Sequence, residues 1–129
     1  MPGFERGVLD RAMREREVDL IVRGRRTGRP IRVTLWIWGD GERLYVRAGD
    51  GFAQDWPRNL MAANGEGILH LSGEELAIRA RHVEDPAEAR RGKSLIERKY
   101  GETVRGSQEG EPLTPGEQAT FELLPLSPN

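Results

Sequence analysis

Glycine-bearing turns recur along this chain at Gly24 to Gly28, Asp40-Gly41, Asn64-Gly65 and Ser72-Gly73. They cut it into runs of about five to ten residues, too short for long helices and the right length for strands. β-Branched and aromatic residues fill those runs, which predict six strands at 18–23, 29–38, 43–48, 67–72, 75–84 and 119–126. The first two strands form a hairpin across the Gly24 to Gly28 turn. Period-two alternation gives Leu44, Val46 and Ala48 one face of the third strand, and sets Ile78 and Ala80 inward on the fifth.

Three helices are expected between the strands. Phe4, Val8, Leu9, Ala12 and Met13 repeat at helical spacing and predict a short amphipathic helix within residues 1–17. A second short helix is expected at 56–63. A third is bounded by Asp85 as N-cap, Pro86 at the first turn, Glu88 at the third position and Gly101 after Tyr100. Residues 102–118 are polar and interrupted by Gly106, Gly110, Pro112, Pro115 and Gly116, so a flexible loop is expected there, either a mobile lid or a disordered connection. Six short strands without βαβ alternation define a mainly β (α+β) fold, a small closed or split barrel.

The length of 129 residues fits one domain, 1–129. No apolar run approaches the roughly 20 residues of a membrane span, and the first residues lack a leader's apolar stretch, so a cytoplasmic protein is expected. The absence of cysteine excludes disulfides and thiolate chemistry, and with His70 and His82 as the only histidines no metal centre is expected. A formal net charge of -1 and 6% aromatic residues argue against a nucleic-acid partner.

Positive charge is nonetheless concentrated locally. Arg23, Arg25, Arg26, Arg29 and Arg32 surround the first hairpin turn, whose glycines let the backbone approach a ligand, and arginine forks suit an oxyanion such as phosphate. On the strand that follows, alternation places Ile31, Val33, Leu35 and Ile37 toward the core and Arg32, Thr34, Trp36 and Trp38 on the other face. The second set either lines a groove for a flat aromatic ligand with a charged tail, or its Trp36 and Trp38 pack under the second helix, at 56–63. Tyr45, Tyr100, His70 and His82 are the available proton donors, but no motif singles one out and no catalytic residue is assigned. His82, in step with Leu76, Ile78 and Ala80, reads as an inward-facing, hydrogen-bonded histidine. Gly49-Asp50-Gly51 lacks the βαβ context of a dinucleotide fingerprint.

The order of Gly24-Arg25-Arg26-Thr27-Gly28-Arg29-Pro30, Leu35-Trp36-Ile37, Asp40 to Val46, Trp56-Pro57-Arg58-Asn59-Leu60 to Asn64, and the closing Phe121 to Leu124 resembles the split-barrel deazaflavin-dependent nitroreductase group of the FMN-binding split-barrel superfamily. It looks closest to an uncharacterised branch of that group. The resemblance implies a six-stranded split barrel that binds the deazaflavin coenzyme F-420 or FMN and passes hydride to a small nitroaromatic, quinone or enone. It implies that Arg25, Arg26, Thr27, Gly28 and Arg32 hold the cofactor's phosphate and tail, and that Trp56, Arg58 and Asn59 support the site. Arg29, Thr34 and Trp36 complete the candidate cofactor-binding set. A homodimer sharing the cofactor groove is compatible with it. The alternative is a non-catalytic split barrel carrying a tetrapyrrole, quinone or lipid-like ligand. Two departures stand out: Asn64-Gly65 replaces the group's usual Asn-Pro, and the proline common near Thr34 is absent.

Overall fold

The computed structural model describes residues 3–126, so the first two and last three residues of the expected domain lie outside the described residues. Seven strands form one antiparallel sheet in the order β2-β1-β5-β6-β7-β4-β3. They are β1 (Val18–Arg23), β2 (Pro30–Leu35), β3 (Trp38–Gly39), β4 (Leu44–Arg47), β5 (Glu66–Leu71), β6 (Glu74–His82) and β7 (Thr120–Pro125). The helices are α1 (Arg6–Arg14), α2 (Asp55–Ala62), α3 (Pro86–Tyr100) and the single turn α4 (Pro115–Gln118). The sheet curls into a half-barrel. Val18, Leu20 and Val22 of β1, Leu69 and Leu71 of β5, Ile78 of β6 and Phe121 and Leu123 of β7 fill its interior, and Val8, Leu9 and Ala12 of α1 join them. This is the α+β split barrel expected from the sequence.

The seventh strand arises because the run 29–38 breaks. Residues Trp36 and Ile37 leave the ladder between β2 and β3. Buried backbone groups need partners, and here α3 supplies them: the Ile37 N–H donates to the Tyr100 hydroxyl at 3.2 Å, and Lys99 Nζ donates to the Ile37 carbonyl at 2.6 Å. Lys99 also donates to the carbonyls of Ala12 and Glu15 at 2.9 and 2.7 Å, and the Tyr100 hydroxyl donates to the Arg16 carbonyl at 2.6 Å. The end of α3 therefore ties α1 to the break. Ile37 within the break and Trp38 beyond it are both buried, whereas Ile31, at the tip of the edge hairpin, stays 42% exposed and takes no part in the core.

Helix α3 lies on the outer face of the sheet and creates a second, smaller core of Trp38, Tyr45, Val83, Ala89 and Ile96. Its start is the one expected: the Asp85 carboxylate accepts from the Ala87 N–H at 3.3 Å, Pro86 opens the first turn and Gly101, at φ 72°, ends the helix. Asp85→Ala is expected to cost about 1 kcal/mol, read as a lower urea midpoint at unchanged slope. Glu88 does not reach back to the cap. It accepts from the Tyr45 hydroxyl at 2.8 Å and pairs with Arg81, which also holds Glu122 at 2.8 Å, and so fastens the helix to the sheet.

No regular element spans the stretch from Gly101 to α4, yet side chains fasten it. Arg90 donates to Ser107 Oγ at 3.0 Å and to the Glu111 carbonyl at 2.8 Å, and Lys93 donates to the Val104 carbonyl at 2.8 Å. A reciprocal capping box between Thr114 and Glu117 opens α4. No helix among the described residues is long and apolar enough to cross a membrane.

Candidate functional site

The arginine turn closes on itself. The Gly24 N–H donates to the Arg29 carbonyl and the Gly28 N–H to the Gly24 carbonyl, both at 2.8 Å, and Gly28 takes a φ of 74°. The Arg29 N–H bonds Thr27 Oγ1 at 3.2 Å, and the Arg25 N–H bonds Asn59 Oδ1 at 3.1 Å. The N–H groups of Gly24, Arg25, Gly28 and Arg29 are thus used within the protein, which leaves those of Arg26 and Thr27 and the side chains to meet an anion.

Those side chains differ in their freedom. Arg25 is a strut to α2: its Nη1 donates to Asn59 Oδ1 at 2.6 Å and its Nη2 to Asp55 at 3.3 Å. Asn59 is only 4% exposed, and Arg58 lies 3.7 Å from Asp55. Arg32 and Thr34 both bind Asp19, each at 2.7 Å; the Thr34 hydroxyl first and the Arg32 guanidinium second hold that carboxyl below the usual carboxylate range. Arg26 and Arg29 are exposed, and neither guanidinium has a hydrogen-bond or ion-pair partner among the described residues.

Two hollows adjoin this arrangement. The larger, about 730 Å³, lies behind the turn, with Arg25, Gly28 and Asn59 in its wall. The second, about 390 Å³, opens at the strand break and is lined by Thr34, Trp36, Trp38, Arg47 and Trp56, with the backbone around Pro115 closing one side. Strand β2 runs from the turn to this second cavity, about 16 Å at strand rise, and α2 joins the same two places through Asn59 and Trp56. The candidate residues therefore fall into two groups, Arg25 to Arg29 with Asn59 at the turn and Thr34, Trp36 and Trp56 at the cavity, connected by two regular elements.

All three tryptophans of the chain line this cavity. Trp36 stacks on Tyr100 with ring centroids 4.0 Å apart, and Trp38 packs on Tyr45 under α3, so the two indoles both pack beneath a helix and present a wall to the cavity. Among the described residues the buried side-chain nitrogens without a hydrogen-bond partner are Trp38 Nε1, Arg47 Nε and Trp56 Nε1, and all three residues stand in that wall. Each unpartnered buried donor costs about 1–3 kcal/mol, and the three lie in one part of the molecule behind the cavity's surface.

Arg47 had no signal in the sequence, because alternation on β4 sets it opposite Leu44 and Val46, toward solvent. Helix α3 covers that face. Burial brings the Arg47 guanidinium down to about 10 despite the nearby Glu117 charge. Glu117 is itself fully buried; burial pushes its carboxyl up, but hydrogen bonds from Ser107 and Thr114, with help from Arg47, prevail and hold it below its ordinary value. None of the four candidate proton donors lines the cavity. The Tyr45 hydroxyl is engaged by Glu88 and, through burial and that carboxylate, pushed up to about 12. His82 Nε2 lies 2.8 Å from the Gln118 carbonyl, its ring against Phe52 and Phe121.

No family model matches the sequence, and no curated protein does. Solved structures share its fold. A candidate 5-nitroimidazole antibiotic resistance protein from Bacteroides thetaiotaomicron is 13% identical with a TM-score of 0.61, over 95% of this chain and 79% of the other. An F420 reductase is 18% identical with a TM-score of 0.57, over 97% of this chain and 94% of the other. At these identities the likeness shows the fold alone, a split barrel.

Proposed function

We propose that this protein binds FMN or the deazaflavin coenzyme F-420 and acts in the cytoplasm as an oxidoreductase on a small nitroaromatic, quinone or enone. The observation that carries the reading is the convergence of all three tryptophans on one cavity, whose volume lies within the ~300–1,000 Å³ of small-molecule sites. The shared fold with an F420 reductase supports it. Trp36, Trp38 and Trp56 would flank the ring system, while Arg26 and Arg29 would hold the phosphate-bearing tail at the far end of β2. The bound cofactor supplies the hydride chemistry. The chain's own work is to bind and orient it: the Asn59–Arg25 contact fixes the turn, Asp19 fixes the first part of the strand, and the indoles keep water from the ring face.

The test is the absorbance of the purified protein, followed by oxidation of added reduced FMN or reduced deazaflavin with a nitroaromatic, quinone or enone present. Cofactor oxidation that depends on protein and acceptor together is expected. Tight cofactor binding without turnover on any of the three acceptor classes would mark a non-catalytic carrier.

A further inference from the structure

Arg47 is half-buried under α3 and makes fewer bonds than a covered cation ordinarily does. Arginines drawn away from solvent are ordinarily paired with a carboxylate, yet among the described residues no carboxylate oxygen lies within ion-pair distance of this one: Glu117 acts on it only at longer range, its oxygens taken by Ser107 and Thr114. Of the guanidinium's five N–H groups, one bond is made within the protein, from Nη2 to the Ala89 carbonyl at 2.9 Å, and Nε has no partner. The face of Trp38 supports the group, with Cζ 5.1 Å from the ring centroid.

The surrounding chain makes room for it. A Cβ placed on Gly92 of α3 would lie 2.1 Å from Nη2, and one placed on Gly116 of α4 would lie 3.2 Å from Cδ. Two glycines thus flank an incompletely bonded cation in the wall of a cavity that three indoles also line. We propose that Arg47 is the oxyanion-binding residue of the tryptophan cavity, selecting planar aromatic molecules that present an anionic or electron-rich oxygen edge. Both a carboxylate on an aromatic ring and the carbonyl edge of a ring cofactor have that chemistry. The inference rests on the proposed use of this cavity as a ligand site, but neither on redox activity nor on the arginine turn.

The tryptophans report occupancy directly, so the test is fluorescence quenching of the full chain by 4-nitrobenzoate and by its neutral isostere 4-nitrobenzamide. The acid is expected to bind roughly tenfold to hundredfold more tightly, the range of one charge-assisted contact. Arg47→Met should abolish that preference, Arg47→Lys should retain part of it, and Arg105→Gln, which removes the exposed cation at the same cavity, should keep it. Gly92→Ala gives a second route, since its methyl group displaces the guanidinium while raising helix propensity; it should lower the preference in a protein whose near-ultraviolet circular dichroism is unchanged. Equal binding of acid and amide by the wild type, no saturable quenching by either, or a preference that survives both Arg47→Met and Gly92→Ala would overturn the proposal. Adding FMN or deazaflavin first separates the two sources: competition identifies the cofactor's own edge as the group Arg47 receives, and simultaneous binding identifies a separate aromatic acid. A wild type that prefers the acid but binds neither cofactor keeps this role for Arg47 and removes the cofactor reading.

Discussion

Arg26→Ala combined with Arg29→Ala is expected to weaken binding of FMN or deazaflavin by about tenfold to hundredfold, the loss that follows when charge-assisted contacts to a phosphate-bearing tail are removed. The choice of these two arginines comes from the bonding of their neighbours. Arg25 is occupied by Asn59 and Asp55, and Arg32 by Asp19. Arg26 and Arg29 project from the same turn without protein partners among the described residues, so their charge is free for an external anion. Because they are exposed, the wild-type affinity should fall with added salt and the double variant should lose much of that dependence. Arg32→Ala should have a smaller effect, since its charge is already neutralised across the hairpin. Unchanged affinity in the double variant would remove the turn from the binding site.

Gly65→Ala is expected to destabilise the fold by about 2–5 kcal/mol, combining left-handed backbone strain with forced displacement of packed atoms. Gly65 has a φ of 82°, and a Cβ there would lie 2.3 Å from the Ala80 carbonyl oxygen, a backbone atom with no rotamer in which to retreat. Its own N–H donates to the Leu60 carbonyl at 2.9 Å and its carbonyl accepts from the Ala80 N–H at 2.7 Å, so the residue locks the end of α2 onto β6. Proline, with φ near −65° and no N–H, is excluded on both counts. The Asn64-Gly65 pair is therefore a turn that Asn-Pro could not replace. Asn64→Ala, also at positive φ (56°) but exposed, should cost only about 1 kcal/mol. Urea unfolding followed by tryptophan fluorescence reads all three proteins; a Gly65→Ala midpoint equal to the wild type's would contradict the close approach.

The elements written in local chemistry were the legible ones. Runs of alternating residues between glycine turns located β1, β4, β5, β6 and β7 to within about two residues, and the Asp85-Pro86-Ala87-Glu88 cap located α3. The second strand was read as continuous to Trp38 because nothing in its own residues shows that Lys99 and Tyr100, more than 60 positions later, take over the backbone bonds of Ile37. The same long-range packing hid the site's most unusual member. Period-two alternation sends Arg47 outward, and only the placement of α3 over that face leaves it half-buried. Trp36 and Trp38 had two readings, ligand groove or support for the second helix; they pack instead beneath α3, whose position over that face local sequence does not encode, and they also line the cavity. The arginine turn was visible as a concentration of charge, but which of its arginines are free depended on Asp19, Asp55 and Asn59, whose proximity local sequence does not encode.

The most direct measurement is the quenching of the protein's own tryptophan fluorescence during titration with FMN and, separately, with oxidised deazaflavin. All three indoles line the proposed site, so binding of a ring cofactor there should give saturable quenching at one equivalent per chain, weakened in the Arg26→Ala, Arg29→Ala double variant. A wild-type protein whose fluorescence changes with neither cofactor would contradict the assignment of this cavity and turn to a flavin-like ligand.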